Sequence, residues 1–143
     1  MRKRTFVLIL VVSIAALITA ACAGIKSDSS ANEKVIKSTK AGDLTVTLAS
    51  NTGELKSGDN DLILSFADAS GKTVDVGAAS LRFHMPAMGA MAEMNNAASL
   101  TTTNTSGKYR AKVNIEVHGT WEAIVVYEGP KGTGQASMTV NAK

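Results

Sequence analysis

Four methionines lie close together in this chain, and a histidine, His84, comes directly before the first of them: Met85, Met88, Met91 and Met94. The whole chain has six methionines, so most of this residue type is gathered in one segment. The thioether sulfur of methionine is uncharged at every pH and is a soft ligand. It suits Cu(I) or Ag(I), whereas Zn²⁺, Mg²⁺ and Ca²⁺ prefer other donors. The segment predicts a soft-metal site, with Cu(I) as the expected ion.

The methionines recur at every third residue, a spacing that places side chains on one face of a 3₁₀-like or polyproline-like turn. On an α-helix the same row would drift by about 60° at each step, so only adjacent members would converge. Pro86 and Gly89 disfavour a long helix. We therefore expect a curled loop at one end of the domain, in which two or three sulfurs converge.

The predicted metal ligands are Met88, Met91, Met94, His84 and Met85. Strand parity assigns Met85 mainly to the core and turns His84 outward, where it supplies a nitrogen ligand. Packing over the end of the domain and contact with a partner protein stay open as other roles for the methionines, because methionine is a flexible apolar residue. His84 can equally be a solvated histidine. His118 is expected to be exposed, with membership of the site as its alternative.

The first 21 residues have the features of an export signal: a basic start, an apolar run and small residues before position 22. The run is shorter than the roughly 20 residues of a membrane-spanning helix. Cys22, the only cysteine, follows a sequence that resembles a lipobox, so we expect it to be lipidated. The alternative is a small buried thiol beside an ordinary cleavage site. No Asp follows Cys22, which favours the outer membrane, with the domain facing the periplasm.

The charge of the chain excludes one class of function. Three of its 15 Lys and Arg lie in the signal, which leaves 12 against 12 Asp and Glu in the mature protein. A near-neutral domain offers no basic face, so nucleic-acid binding is not expected. The two histidines and scattered carboxylates match no nucleophile–base or phosphate-loop motif, so we do not expect an enzyme.

The apolar residues alternate with polar ones from residue 42 onward, a period of two that indicates half-buried strands. A change of parity near Gly77 predicts a bulge or bend. About seven strands without an amphipathic helix predict an all-β, antiparallel immunoglobulin-like sandwich. Trp121 is the expected central core aromatic, and Tyr109, after a glycine turn, resembles a tyrosine corner. The predicted organisation is a signal peptide at 1–21, a flexible tether at 22–40 and one domain at 41–143.

Four short motifs carry a family resemblance: Leu-Arg-Phe-His-Met-Pro-Ala-Met-Gly-Ala-Met at 81–91, Gly-Lys-Tyr-Arg-Ala at 107–111, Gly-Thr-Trp at 119–121 and Tyr-Glu-Gly-Pro at 127–130. Together they resemble the YtkA-like domain, which is related to FixH-type proteins. The resemblance implies a secreted or lipid-anchored module, or part of a heavy-metal efflux adaptor. FixH-type proteins are associated with copper supply to a terminal oxidase, so the resemblance also implies a copper-related role.

Two functions follow from these observations. The first is a lipid-anchored extracytoplasmic copper-binding module, a Cu(I) chaperone or buffer linked to metal homeostasis or efflux. Its expected partners are the membrane, through the lipid anchor, and an efflux adaptor or cuproprotein. The alternative is a β-sandwich interaction module that binds no metal and contacts an envelope partner such as an efflux adaptor.

Overall fold

The computed structural model describes residues 32–130 and 132–143. The predicted signal peptide and Cys22 lie outside these residues. The described part of the chain forms nine strands and no α-helix: β1 Lys34–Ala41, β2 Leu44–Ser50, β3 Gly58–Ala67, β4 Ala78–Met85, β5 Met94–Ala97, β6 Ser99–Thr102, β7 Lys108–Ile115, β8 Gly119–Gly129 and β9 Gly132–Ala142. Nothing in this part of the chain has the helical length and hydropathy that crossing a membrane requires.

The strands form two antiparallel sheets that pack face to face. One sheet has the strand order β1-β2-β3-β7-β6, and the other has the order β5-β4-β8-β9. The predicted all-β antiparallel sandwich is confirmed, with more strands than the seven expected. The additional strands escape the sequence pattern because β5 and β6 have only four residues each and β1 is exposed along most of its length.

The core lies between the two sheets and follows the period-two pattern of the sequence. On β7, for example, Tyr109, Ala111 and Val113 are buried while the residues between them are exposed. Trp121 on β8 is completely buried, and its indole N–H donates a hydrogen bond to the Val117 carbonyl at 3.1 Å. Its predicted role as the core aromatic is confirmed. Truncation of such a side chain typically costs about 3–5 kcal/mol of stability.

The domain begins before the predicted boundary at residue 41. Strand β1 occupies Lys34–Ala41, inside the segment expected to be a tether, and pairs with β2 along its length. Just before it, the Glu33 carboxylate accepts a hydrogen bond from the Lys108 ammonium at 2.7 Å. The segment lacks apolar alternation because β1 is an edge strand, whose backbone pairs while most of its side chains remain in solvent.

The change of parity near Gly77 comes from a bend, one of the two predicted causes: Gly77 lies at a bend directly before β4, and no bulge interrupts the pairing of β4 with β8. Val76, before Gly77, is a buried residue of a loop, whereas strand β4 begins at Ala78, after Gly77. The parity before Gly77 is therefore that of the loop, and the parity after it is that of the strand. Gly77 has a φ of 75°, a conformation that glycine adopts readily. Tyr109 donates its hydroxyl hydrogen bond to the Gly77 carbonyl at 2.8 Å. The hydroxyl of a tyrosine corner donates a hydrogen bond to the backbone only a few residues upstream. The hydroxyl of Tyr109 instead connects one sheet to the loop that leads into the other sheet.

We expect Tyr109→Phe to lower the free energy of unfolding by about 1 kcal/mol at neutral pH, because it leaves a carbonyl without its hydrogen bond. Urea denaturation followed by the fluorescence of Trp121, the only tryptophan, measures the change. Unchanged stability would contradict the assigned role of the hydroxyl.

The same substitution should change how stability depends on alkaline pH. Burial, and after it the negative charge of Asp75, raises the pKa of Tyr109 above its ordinary value of 10.0. The folded state therefore holds the phenol proton more tightly than the unfolded state does. This contribution is complete below pH 10.0 and is lost as the pH rises through the pKa of the folded state. Stability of Tyr109→Phe should consequently fall less steeply above that pH than stability of the wild type.

Candidate metal centre

The methionine segment is an extended hairpin. Met85 ends β4, Met94 begins β5, and Met88 and Met91 pair between them. The Met88 N–H donates to the Met91 carbonyl at 3.1 Å, and the Met91 N–H donates to the Met88 carbonyl at 2.9 Å. Gly89, with a φ of 57°, supplies the positive φ that a two-residue hairpin turn needs. The expected 3₁₀-like or polyproline-like curl is wrong, because the backbone makes cross-strand hydrogen bonds instead.

The three-residue spacing places the four methionines in two cross-strand pairs. Met85 pairs with Met94, and Met88 pairs with Met91, nearer the turn. Cross-strand partners point to the same side of a hairpin, whereas positions three apart in an extended chain point to opposite sides. One pair must therefore face the core and the other must face away from it.

The exposure of the side chains agrees with this division. Met85 is 2% exposed and lies in the core, as its strand parity predicts, and Met94 is half-buried and packs against the same core. Met88 is 53% exposed and Met91 is 44% exposed. The structure thus separates the predicted methionine ligands into a core pair and an outer pair, and only the outer pair has both side chains exposed to solution.

His84 faces outward from β4, between Asn95 of β5 and Glu122 of β8 in the strand register. Its Nδ1 lies 3.1 Å from the Asn95 Oδ1, and the Asn95 Nδ2 donates to the Glu93 carboxylate at 2.9 Å. Because this arrangement turns the amide oxygen toward the ring, Nδ1 carries the proton and donates it. The lone pair of Nε2 is then available. Metal-binding histidines are commonly held by a hydrogen bond of this kind to the other ring nitrogen.

An open depression of about 340 Å³ lies on the outer face of this sheet. Its lining combines a thioether, an imidazole, a carboxylate and two hydroxyls, from His84, Pro86, Met88, Thr120, Trp121, Glu122 and Thr139. A nitrogen ligand and a sulfur ligand therefore border the same space. The half-buried Glu122 adds a carboxylate that favours a bound cation.

Glu122 was not identified from the sequence. It comes from β8, far along the chain from the methionines, and only the pairing of β4 with β8 places it opposite His84. The parity of β8 does carry part of the signal, because Trp121 and Ala123 face the core and Glu122 must therefore face outward. Without the register, that parity does not show which outward residue of β4 lies beside it.

The other candidate ligand and the other large depression offer no soft-metal chemistry. His118 is exposed between β7 and β8 and does not line the depression beside His84. A depression of about 350 Å³ on the other sheet, near Glu33 and Arg110, has no sulfur or imidazole in its lining. Within residues 32–130 and 132–143, no three His, Cys, Asp or Glu side chains are grouped to hold a metal ion. A soft metal would therefore depend on the thioethers.

Comparison with known proteins gives one family match. The profile of the YtkA-like family matches residues 38–126. No curated protein matches the chain. Among solved structures, a copper-bound variant of FetP from uropathogenic Escherichia coli strain F11 aligns with a TM-score of 0.45 and 8% sequence identity, over 77% of this chain and 97% of that chain.

We expect Asn95→Ala to change the tautomer of neutral His84. Loss of the amide oxygen removes the acceptor that holds the proton on Nδ1, so the population should move toward the Nε2–H form that a neutral histidine side chain favours in water. The ¹⁵N chemical shifts of the imidazole ring at pH 8 measure this directly. Asn114→Ala is a matched control, since it removes an exposed amide that bonds Asp59 on the other sheet. An unchanged His84 tautomer in Asn95→Ala would contradict the assigned role of Asn95.

Proposed function

This chain belongs to the YtkA-like family, and on that premise we propose that it is a copper-binding module of the cell envelope that holds Cu(I) as a chaperone or buffer. The proposed ligands are the sulfurs of Met88 and Met91 and the Nε2 of His84. Met85 and Met94 belong to the core, so we assign them no direct part in metal binding. Glu122 supplies a nearby negative charge.

The observation that carries this proposal is the exposure of the Met88–Met91 pair, together with the depression that Met88 shares with His84. Four large apolar side chains are exposed in the described part of the chain, and two of them are these methionines. Full burial of such a side chain typically contributes about 1.5–3 kcal/mol, and each methionine of this pair forgoes roughly half of that gain. A packing role does not account for that cost, whereas metal coordination requires accessible sulfurs.

The chemistry of the ligands suits a chaperone or buffer. Thioethers carry no proton to displace, so their affinity for Cu(I) does not weaken as the solution becomes more acidic. Two sulfurs and one nitrogen are uncharged ligands, so they would hold Cu(I) in a low-coordinate site that keeps the positive charge of the ion. Because Met88 and Met91 are exposed, ligands of a partner protein can reach the ion and replace them one at a time.

We further propose that Cys22 carries the lipid anchor and that the domain is attached to the outer membrane, facing the periplasm. Cys22 precedes Asn32, the first described residue, by ten positions. Ten residues span at most about 35 Å when fully extended. The sandwich would therefore remain close to the membrane surface, where an efflux adaptor or a membrane-bound cuproprotein is accessible to it.

The Met88→Leu/Met91→Leu double variant should lose Cu(I) affinity. Leucine keeps a similar apolar volume but removes the sulfur, so the fold should persist. We expect the affinity for Cu(I) to fall by about tenfold or more, since even mutation of a residue that only hydrogen-bonds a metal ligand typically lowers metal affinity by about that factor. Competition with a chromophoric Cu(I) chelator under anaerobic conditions measures the affinity.

The hairpin provides a matched control for this experiment. Met85→Leu/Met94→Leu removes the same number of sulfurs from the same hairpin, but from the pair that faces the core. We expect this control to bind Cu(I) like the wild type. If the Met88/Met91 variant binds as well as the wild type, or if both double variants weaken equally, the proposed ligand set is wrong.

The lipid anchor has a separate test. We expect Cys22→Ser to move the protein from the membrane fraction to the soluble periplasmic fraction and to eliminate incorporation of labelled palmitate. The Met88→Leu/Met91→Leu variant should remain in the membrane fraction, because its anchor is intact. A wild-type protein with a free Cys22 thiol, found in the soluble fraction, would contradict the proposal.

A second candidate function is an interaction module that contacts an envelope partner without a metal. It is favoured by Val126, which is 43% exposed on the outer face of the sheet that also carries the depression. Exposed apolar residues on one face are typical of a protein contact surface. The leucine variants distinguish the two functions, because leucine preserves an apolar contact and removes a thioether ligand.

A further inference from the structure

The hairpin presents two methionine pairs to very different environments, although their sequence positions are only three residues apart. Met85 is 2% exposed and Met138 on β9 is 4% exposed, while Met88 and Met91 are 53% and 44% exposed. A peroxide must reach the sulfur before it can react with it, so the rate of methionine oxidation depends on this accessibility. Among the methionines that the structure describes, the fold therefore exposes those two thioethers to oxidants, buries those of Met85 and Met138, and leaves Met94 half-buried.

We propose that Met88 and Met91 are a site of reversible oxidation, at which hydrogen peroxide or another small peroxide removes the capacity to hold a soft metal. This inference rests on the proposed function, because the ligands that are oxidised are the proposed Cu(I) ligands. It adds a modification of these two side chains and a condition under which the modification occurs.

The reaction needs only the thioether and the peroxide. A sulfur lone pair attacks one peroxide oxygen, the O–O bond breaks, and an S–O bond forms. The sulfur is oxidised by two electrons to the sulfoxide, and hydrogen peroxide is reduced to one molecule of water. Methionine sulfoxide reductases reverse the change: a thiol reductant supplies two electrons, is oxidised to a disulfide, and the sulfoxide oxygen leaves as water. These enzymes require the same accessibility that Met88 and Met91 have.

Oxidation changes the ligand and leaves the core intact. A sulfoxide is polar and presents a hard oxygen, which Cu(I) binds poorly compared with a thioether. Met88 and Met91 flank the Gly89 turn with their side chains in solvent, so two added oxygens need not enter the core. A sulfoxide at Met85, by contrast, would place an oxygen among buried apolar side chains.

A bound metal should slow the reaction, because coordination takes one of the two lone pairs of the sulfur and lowers the nucleophilicity of the other. The site would then be oxidised chiefly when it holds no metal. Ag(I) is the suitable probe, since it binds the same soft ligands as Cu(I) but does not itself react with peroxide to form radicals. If Ag(I) protects Met88 and Met91 from oxidation but does not protect Met138, the protection comes from metal bound at those two sulfurs.

The experiment uses the detergent-solubilised full-length chain exposed to hydrogen peroxide for increasing times. Mass spectrometry with fragment-ion assignment gives the sulfoxide fraction at each methionine. We expect Met88 and Met91 to react about tenfold faster or more than Met85 and Met138, in line with their exposure. Circular dichroism before and after oxidation monitors the fold.

Cu(I) competition on the oxidised protein should show an affinity reduced by about tenfold or more, and treatment with methionine sulfoxide reductase should restore it. Met85→Leu/Met94→Leu should respond to peroxide in the same way as the wild type. Equal oxidation rates at buried and exposed methionines would overturn the modification site, whatever the metal affinity is. Equal Cu(I) affinity before and after oxidation would overturn its effect on binding.

Failure of the proposed function gives a different result. If the reduced protein does not bind Cu(I) and Ag(I) gives no protection, the metal site is wrong, and the loss of binding on oxidation is overturned with it. Selective oxidation of Met88 and Met91 would still be measured in that case. The two hypotheses therefore fail in distinguishable ways.

Discussion

The candidate metal centre depends on the cross-strand pairing of Met85 with Met94. Met85 is buried between the sheets, and this burial fixes the register of the β4–β5 hairpin, because a slip of one residue would turn every side chain to the opposite face. Met88 and Met91 then have to face outward, as does His84. The pair to which we assign no metal ligand is thus the pair that orients the proposed ligands. An apolar contact inside the sandwich determines where the soft donors lie outside it.

The arrangement of the two sheets also separates the metal centre from the beginning of the domain. Glu33 binds Lys108, which faces outward from the five-stranded sheet, while His84 and Glu122 face outward from the four-stranded sheet. Glu33, near the start of the described residues, and the proposed ligand His84 therefore lie on opposite outer faces of the sandwich.

Several of these features could be predicted from the sequence, because local alternation determines them. The antiparallel sandwich, the burial of Trp121 and the inward orientation of Met85 all follow from side chains that alternate with a period of two. Strand β1 could not be predicted, since an edge strand forms through backbone pairing without an apolar pattern. The prediction of a curled methionine loop is wrong for a related reason. A spacing of three fits a tight helix, but it also fits a hairpin whose positions are symmetric about the Gly89 turn.

The partners of His84 required knowledge of the register. Asn95 and Glu122 lie beside His84 only because β5 and β8 pair with β4 at those positions, and alternation along one strand does not specify its neighbours. The most direct test of the central claim is X-ray absorption spectroscopy of the Cu(I)-loaded protein at the copper edge. The account predicts two sulfur neighbours and one nitrogen neighbour, with the sulfur signal absent in Met88→Leu/Met91→Leu. A first coordination sphere of nitrogen and oxygen alone would contradict it.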